Sequence, residues 1–516
     1  MELKIRTIHF FEPILESDAF REESAEIIVP DMFPDISRVL DTSGLAVVKE
    51  KSLKEGQAEI FGVVKASVLY VPEGEQGLKK VDVALPFSHL FEERDIGPGD
   101  SAVAHAVVLS AETYPINPRK VQVRVGVRLD VTVYHAGCWE ICQDVEEAAL
   151  YGIHTRREIG SAYLPVAVNG RTFTVTDEWE VPGSRPPVYE ILRTDVRLHT
   201  QEAKPVGNKL VFKGAAFLRV LYAGPPSGAD LADDIVLLEQ EVPFSQIIEW
   251  GGGEETCDCT VDLQLAGLEL DLRAGLAGES RLLGVTLQID AQAVGMSPRD
   301  VEAVVDLYST DYGLLPEFRV YRAVRLLDRS VRRQAVRESN ETGRPVSAVT
   351  DAQVTLGPVT QQRTENQLTL TAQAAVNVVY LADDKRFYAL SWQFPVSCVL
   401  EAPADAGCTA TARVEGDVLA TGTHDGVEVR FPVDFAATVS AVEPLTVLAA
   451  VDIDQEAAKD RAGRPSVVLR RAGGGETLWQ IAKAHDTTME DIAQANCLEG
   501  EAPLPAGQML LIPRHR

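Results

Sequence analysis

The chain has 516 residues and a globular composition, 45% hydrophobic and 24% charged, with 49 Lys and Arg against 77 Asp and Glu and a formal net charge of −28. At about 100–200 residues per domain, this length implies three or four domains. The negative balance argues against a phosphate-gripping nucleic-acid surface and against an electrostatic hold on anionic membranes, since both need a surplus of Lys and Arg; it fits solubility and self-repulsion.

The segment Met1–Phe11 lacks the basic, apolar, small-residue order of a signal peptide. No apolar run reaches the roughly 18–20 residues of a membrane helix. A cytoplasmic protein without membrane insertion is therefore expected. Residues 29–40 then open a pattern that recurs 152 positions later. Val29-Pro30 and Pro34 match Val181-Pro182 and Pro186, and Val39-Leu40 matches Ile191-Leu192; in a third copy only Pro345 remains. A strand follows with the same offset. Gly62 precedes Leu69-Tyr70 as Gly214 precedes Leu221-Tyr222, and the third copy is Ala372 before Val379-Tyr380. The next strand carries Leu85-Pro86-Phe87-Ser88, then Val242-Pro243-Phe244-Ser245, then Phe394-Pro395-Val396-Ser397. Proline cannot donate to a ladder, so these strands are expected at sheet edges.

Each copy closes on a long alternating strand. Between Val121 and Tyr134 every second residue is apolar, the period of a half-buried strand. Its length predicts a bend or bulge near Gly126. Val285, Leu287 and Ile289 are the second copy; Val427, Val429, Phe431, Val433 and Phe435 are the third. Val145–Tyr151 reads as a short helix or part of a hairpin. The fold class expected is mainly β: three tandem β-sandwich-like repeats over 1–155, 156–312 and 313–453, a linker over 454–466, and a small βααβ module over 467–516.

In the terminal module, Val467–Leu469 reads as a strand and Arg470–Gly475 as a turn. Thr477 and Gln480 form a capping box before a helix that buries Leu478, Ile481 and Ala482. A second helix is expected from Thr487 with Glu490 as its box partner, burying Met489, Ile492 and Ala493 and ending at Asn496 in a left-handed residue. Gly507–Pro513 is the returning strand.

No catalytic or metal motif is found. The nine histidines occur singly, and the seven cysteines (Cys138, Cys142, Cys257, Cys259, Cys398, Cys408, Cys497) are an odd number without zinc spacing. There is no phosphate loop, dinucleotide fingerprint or nucleophile elbow. No cofactor, metal or catalytic residue is expected.

The module resembles the LysM domain on Gly475-Glu476-Thr477-Leu478-Trp479, Ile481-Ala482, Asn496, Gly507-Gln508, Leu510, Ile512 and Pro513. It departs at Glu476, where the family has Asp, and at Cys497, where a small residue is common. That resemblance implies binding of N-acetylglucosamine polymers such as peptidoglycan. The groove it implies lies between Gly475, Glu476, Thr477 and Leu478 on one side and Asn496, Cys497 and Leu498 on the other. The repeats resemble the SPOCS domain of endospore-forming Clostridia on Val29-Pro30-Asp31, Pro34-Asp35-Ile36, Gly62, Leu69-Tyr70 and Asn117-Pro118-Arg119. SPOCS-like repeats followed by one LysM are similar to the coat-morphogenetic family whose LysM docks on the spore coat-basement ATPase. The resemblance thus implies a non-enzymatic adaptor on the mother-cell side of the forespore, with that ATPase and other coat proteins as partners. A peptidoglycan-binding protein of the wall or cortex is the alternative.

Overall fold

The structure is a computed structural model. It describes all residues except 75–76, 226–234, 252–256, 275–278, 460–464, 499–503 and 515–516. It is mainly β, as expected. The first unit comprises β1 (Leu3–Ile28), β2 (Ile36–Lys54), β3 (Gln57–Pro72), β4 (Lys79–Glu92), β5 (Ser101–Asn117) and β6 (Lys120–Val145). They pair as two antiparallel sheets, β1-β6-β5 and β2-β3-β4. The alternation explains the sandwich. Val121, Val123, Val125, Val127, Leu129, Val131 and Val133 are all buried on one face of β6, against Ile60, Val64, Ala66 and Val68 of β3. Gly126 does carry a bulge, with the extra residue on its partner: the register slips between Val108 and Ser110 opposite it.

The second unit repeats this order with β7 (Ile153–Glu180), β8 (Glu190–Val206), β9 (Lys209–Ala223), β10 (Ile235–Glu249), β11 (Asp258–Ala274) and β12 (Ser280–Ser309), in sheets β11-β12-β7 and β10-β9-β8. The third has β13 (Tyr312–Glu341), β14 (Val346–Leu356), β15 (Thr360–Thr364), β16 (Gln367–Ala382), β17 (Phe387–Glu401), β18 (Gly407–Val414), β19 (Leu419–Gly422) and β20 (Gly426–Ala458). Here β14 and β15 share the edge that β2 holds alone, interrupted around Pro358, and β18 and β19 share the place of β5. The proline-bearing strands β4, β10 and β17 are all edges. Ala148–Tyr151 is a single 3-10 turn.

Two features recur at equivalent positions. Tyr70 donates to the Pro34 carbonyl at 3.2 Å, and Tyr222 donates to the Pro186 carbonyl at 3.0 Å, so the sequence pattern of prolines and tyrosine is one hydrogen bond used twice. Gly62 faces Phe87 across strands as Gly214 faces Phe244. A Cβ on Gly62 would lie 2.1 Å from the Phe87 ring, and on Gly214 2.8 Å from the Phe244 ring. In the third unit the pair is Ala372 and Val396: the aromatic shrinks where the glycine gains its methyl.

The segment expected as a linker, 454–466, is partly strand. β20 continues to Ala458, with Asp454 opposite Gly313 and Ala458 opposite Tyr312.

The three units close around a common axis, which the sequence did not disclose. At one end, Leu69, Leu221 and Val379, equivalent residues of β3, β9 and β16, share one apolar cluster. At the other, Cys142 and Val145 of β6 meet Val304 and Leu307 of β12 and Leu448 and Val451 of β20. Beside the first cluster lies a buried ionic network. In β2, β8 and β14 the register slips at one equivalent place, just before Asp41, Arg193 and Asp351. The bulge turns these side chains toward the axis. Arg193 meets Asp41 at 2.5 Å and Asp351 at 2.8 Å, and Arg219 of β9 reaches Asp351 at 3.1 Å and the Ala352 carbonyl at 2.7 Å.

Candidate functional site

The terminal module has the expected order. β21 (Val467–Arg471) pairs antiparallel with β22 (Met509–Pro513), and two helices, Leu478–His485 and Met489–Asn496, lie between them. Thr477 caps the first helix with the full box: its hydroxyl accepts from the Gln480 amide, and the Gln480 side chain accepts from the Thr477 amide. The second helix begins one residue later than expected. Thr488 is its cap and Asp491 supplies the capped amide, not Thr487 and Glu490. Thr487 is buried instead, and its carbonyl accepts a 2.8 Å hydrogen bond from Tyr308 of β12.

The expected groove residues take separate roles. Gly475 is exposed with φ +79°, a backbone geometry that favours glycine. The Glu476 carboxylate accepts from the Gly473 amide at 2.8 Å and pairs with Arg470 at 2.7 Å, so it braces the turn. Leu478 is buried core. Asn496 is the last helical residue rather than the left-handed one. Its amide donates to the Ile492 and Leu511 carbonyls at 2.8 and 2.6 Å, and its oxygen accepts from the Leu511 amide at 2.7 Å. This side chain clamps the returning strand to the helix. Cys497 holds the left-handed position, φ +54°, and is exposed, while Leu498 packs on the core. The Leu504 amide donates to the Glu476 carbonyl at 3.3 Å, bringing the segment before β22 alongside the first loop. Among the described residues no hydrogen bond joins 475–478 to 496–498, and 499–503 lie outside the described residues.

Trp479 is buried as well as Leu478, Ile481 and Ala482. It is buried because the module sits on the second unit. Its indole N–H donates to Asp306 at 2.7 Å and its ring meets Tyr308 edge-on at 4.9 Å. Lys483 binds the same Asp306 at 2.5 Å. Lys459 donates to the Ser309 carbonyl at 2.6 Å and pairs with Asp486. Burial, with Glu490 and Asp491 nearby, pushes the Tyr308 phenol well above its usual range. Tyr308 has no counterpart in the other units. Counting from the shared cluster, its place is taken by Glu146 in the first and Asp452 in the third. Sequence reasoning missed Asp306 and Tyr308, which sit some 170 residues from their partners.

His485 lies between Arg470 at 3.2 Å and Arg514 at 3.0 Å. Burial, then Arg514 and Arg470, hold its pKa below the usual value. The outward face of the two-stranded sheet is mostly apolar: Val467, Leu469, Met509 and Leu511 are 44–62% exposed, with exposed Arg471 opposite Met509. No group of three or more metal-ligating side chains occurs among the described residues, and no helix among them is long and apolar enough to cross a membrane.

Three β-sandwich units around one axis, carrying a small βααβ module on the second, define a binding architecture. Comparison with known families bears this out. The family described as SipL, SPOCS domain, matches residues 35–114 and 187–273, and the LysM domain matches residues 474–513. The chain thus carries two SPOCS segments followed by a LysM domain. SPOCS marks it as sporulation-related, LysM is a domain associated with peptidoglycan or other carbohydrate, and both are non-catalytic binding domains. The third unit lies outside both matches yet follows the same strand order. No curated protein and no solved structure matches the chain.

Proposed function

We propose that this chain is a non-enzymatic adaptor in endospore coat assembly, on the mother-cell side of the forespore, docking through its LysM domain on the coat-basement ATPase. The observation that carries this reading is the outward apolar face of Val467, Leu469, Met509 and Leu511. Apolar surface of this kind suits a protein partner. A polymer of hydroxyls and acetamides calls for placed polar groups, and Thr477 and Asn496 are both committed to backbone. The second reading, peptidoglycan binding, draws on the LysM match itself.

The test is retention of the full-length chain on two baits, the coat-basement ATPase and purified peptidoglycan. The full chain is needed because an isolated module would uncover Trp479. Leu469→Asp and Leu511→Asp alter the sheet face. Gly474→Asp alters the loop, where an added Cβ meets only the Ala506 methyl at 3.7 Å. Retention by the ATPase, lost with the face variants and kept by Gly474→Asp, supports the adaptor. Retention by peptidoglycan alone, lost with Gly474→Asp, overturns it in favour of a wall-binding protein.

A further inference from the structure

Three topologically equivalent edge strands, β1, β7 and β13, carry different charge. The outer halves of β1 and β13 are long and regular. From Leu15 to Ile28, β1 pairs with β6 without a slip; from Asp328 to Glu341, β13 pairs with β20 without a slip. Each is the terminal strand of its sheet, so its other edge has no strand partner among the described residues. Such an edge is a template for another chain unless something prevents pairing.

On the outward face the two edges are opposite in sign. On β1 the row is Asp18, Glu22 and Glu26, one every four residues. On β13 it is Arg329, Arg333 and Arg337, again one every four. The next strand inward supplies opposite charge to the carboxylates of the β1 row and to two of the three arginines, while Arg329 reaches Thr260 at 2.9 Å and Asp258 at 3.9 Å on β11. In the first unit Arg124 lies 3.4 Å from Glu22 and Arg128 3.9 Å from Asp18; in the third, Asp434 holds Arg333 at 2.6 Å and Glu428 holds Arg337 at 2.8 Å. Arg333 and Arg337 remain more than 60% exposed, and Asp18 and Glu22 more than 50%. In a chain of net charge −28, a run of arginines on one exposed edge calls for a reason.

We propose that copies of this chain associate head to tail, the β1 edge of one against the β13 edge of the next. Setting the edges side by side and parallel, Asp18 against Arg329, Glu22 against Arg333 and Glu26 against Arg337, brings each arginine opposite a carboxylate and Ser24 opposite Ala335, because the two rows share one spacing. The rows of charge across the joined sheet then alternate basic, acidic, basic, acidic. Like edges repel, so β1 against β1 and β13 against β13 are disfavoured. An interface between two different patches is heterologous, and its product is a ring or an open filament according to whether the rotation closes.

Sedimentation of the full-length chain over a range of concentrations, at low and high salt, tests this. Ser24→Lys and Ala335→Glu each place one opposing charge in a row while leaving every ion pair within the chain intact; both positions are exposed. The wild type should gain mass with concentration and lose that gain at high salt, since exposed charges are screened. Each single variant should sediment nearer the monomer. An equimolar mixture of the two variants should recover association, because the introduced lysine of one now faces the introduced glutamate of the other. A wild type that stays monomeric at every concentration overturns the proposal, as does association that both substitutions leave unchanged.

Discussion

Arg193 occupies in the second unit the place that Asp41 holds in the first, 152 residues earlier, and the two side chains form an ion pair at 2.5 Å. Asp351, the equivalent residue of the third unit, takes the other side of the guanidinium. Removing the cation leaves Asp41 buried without its guanidinium and Asp351 with Arg219 alone. Arg193→Leu should therefore cost about 3–5 kcal/mol by urea unfolding. Replacing Asp41, Arg193 and Asp351 together by leucine should cost less, because Arg219, which then loses Asp351, keeps its pair with Glu239 at 2.8 Å.

The Gly62 and Phe87 pair offers a test of equivalence between units. Gly62→Ala alone forces the Phe87 ring aside, presses on the Val47 carbonyl 2.6 Å from the new methyl, and should destabilise by about 1–3 kcal/mol. Adding Phe87→Val rebuilds the Ala372 and Val396 arrangement of the third unit. The double variant should lose less than the sum of its parts, and a double-mutant cycle measures the coupling.

Docking of the LysM domain turns on Tyr308. Tyr308→Phe removes the hydrogen bond to the Thr487 carbonyl and should cost about 1 kcal/mol. Tyr308→Ala also uncovers Trp479. In calorimetry the module of this variant should melt separately from the body, whereas the wild type should melt the two together.

Asn496→Ala should destabilise the module by about 2–3 kcal/mol, because three hydrogen bonds to backbone are lost at once. Thr477→Ala loses one cap and should cost about 1 kcal/mol. Binding measured per folded molecule should then stay near wild type in both, since each side chain is spent inside the fold.

Acid should loosen the protein at two histidines. His105 is half-buried between the first and second units, beside Gln264. Burial lowers its pKa, and Arg413 and Arg128 add to this against Asp262 and Asp130. His485 is lowered likewise. Both folded values lie below the unfolded value, near 6.5, so their neutral forms support the fold above it and that support is lost as pH falls further. The melting temperature should drop between about pH 7 and pH 5, and less so in His105→Gln.

Much of this was legible in the residues. Alternation gave the long strands because a sandwich buries every second side chain, and repeated prolines and tyrosines marked the units because they make one local hydrogen bond in each. The capping box was readable since helix ends depend on neighbours three residues apart. The second cap was displaced by one because Thr487 faces Tyr308, a tertiary contact that no local pattern carries. The buried charges were passed over for a related reason. Asp41 and Arg193 obey the same offset as the apolar matches, but charged residues read as surface until a bulge and an axis place them inside.

The trio on that axis also bears on why three repeats should share one chain. Three separate copies of a single unit would bring three identical residues together there, all aspartate or all arginine, and like charges would push the ring apart. Fusion lets each copy diverge, so that one arginine can stand between two aspartates. It also makes closure independent of protein concentration and leaves one LysM domain per ring, on the one unit whose tyrosine can seat it.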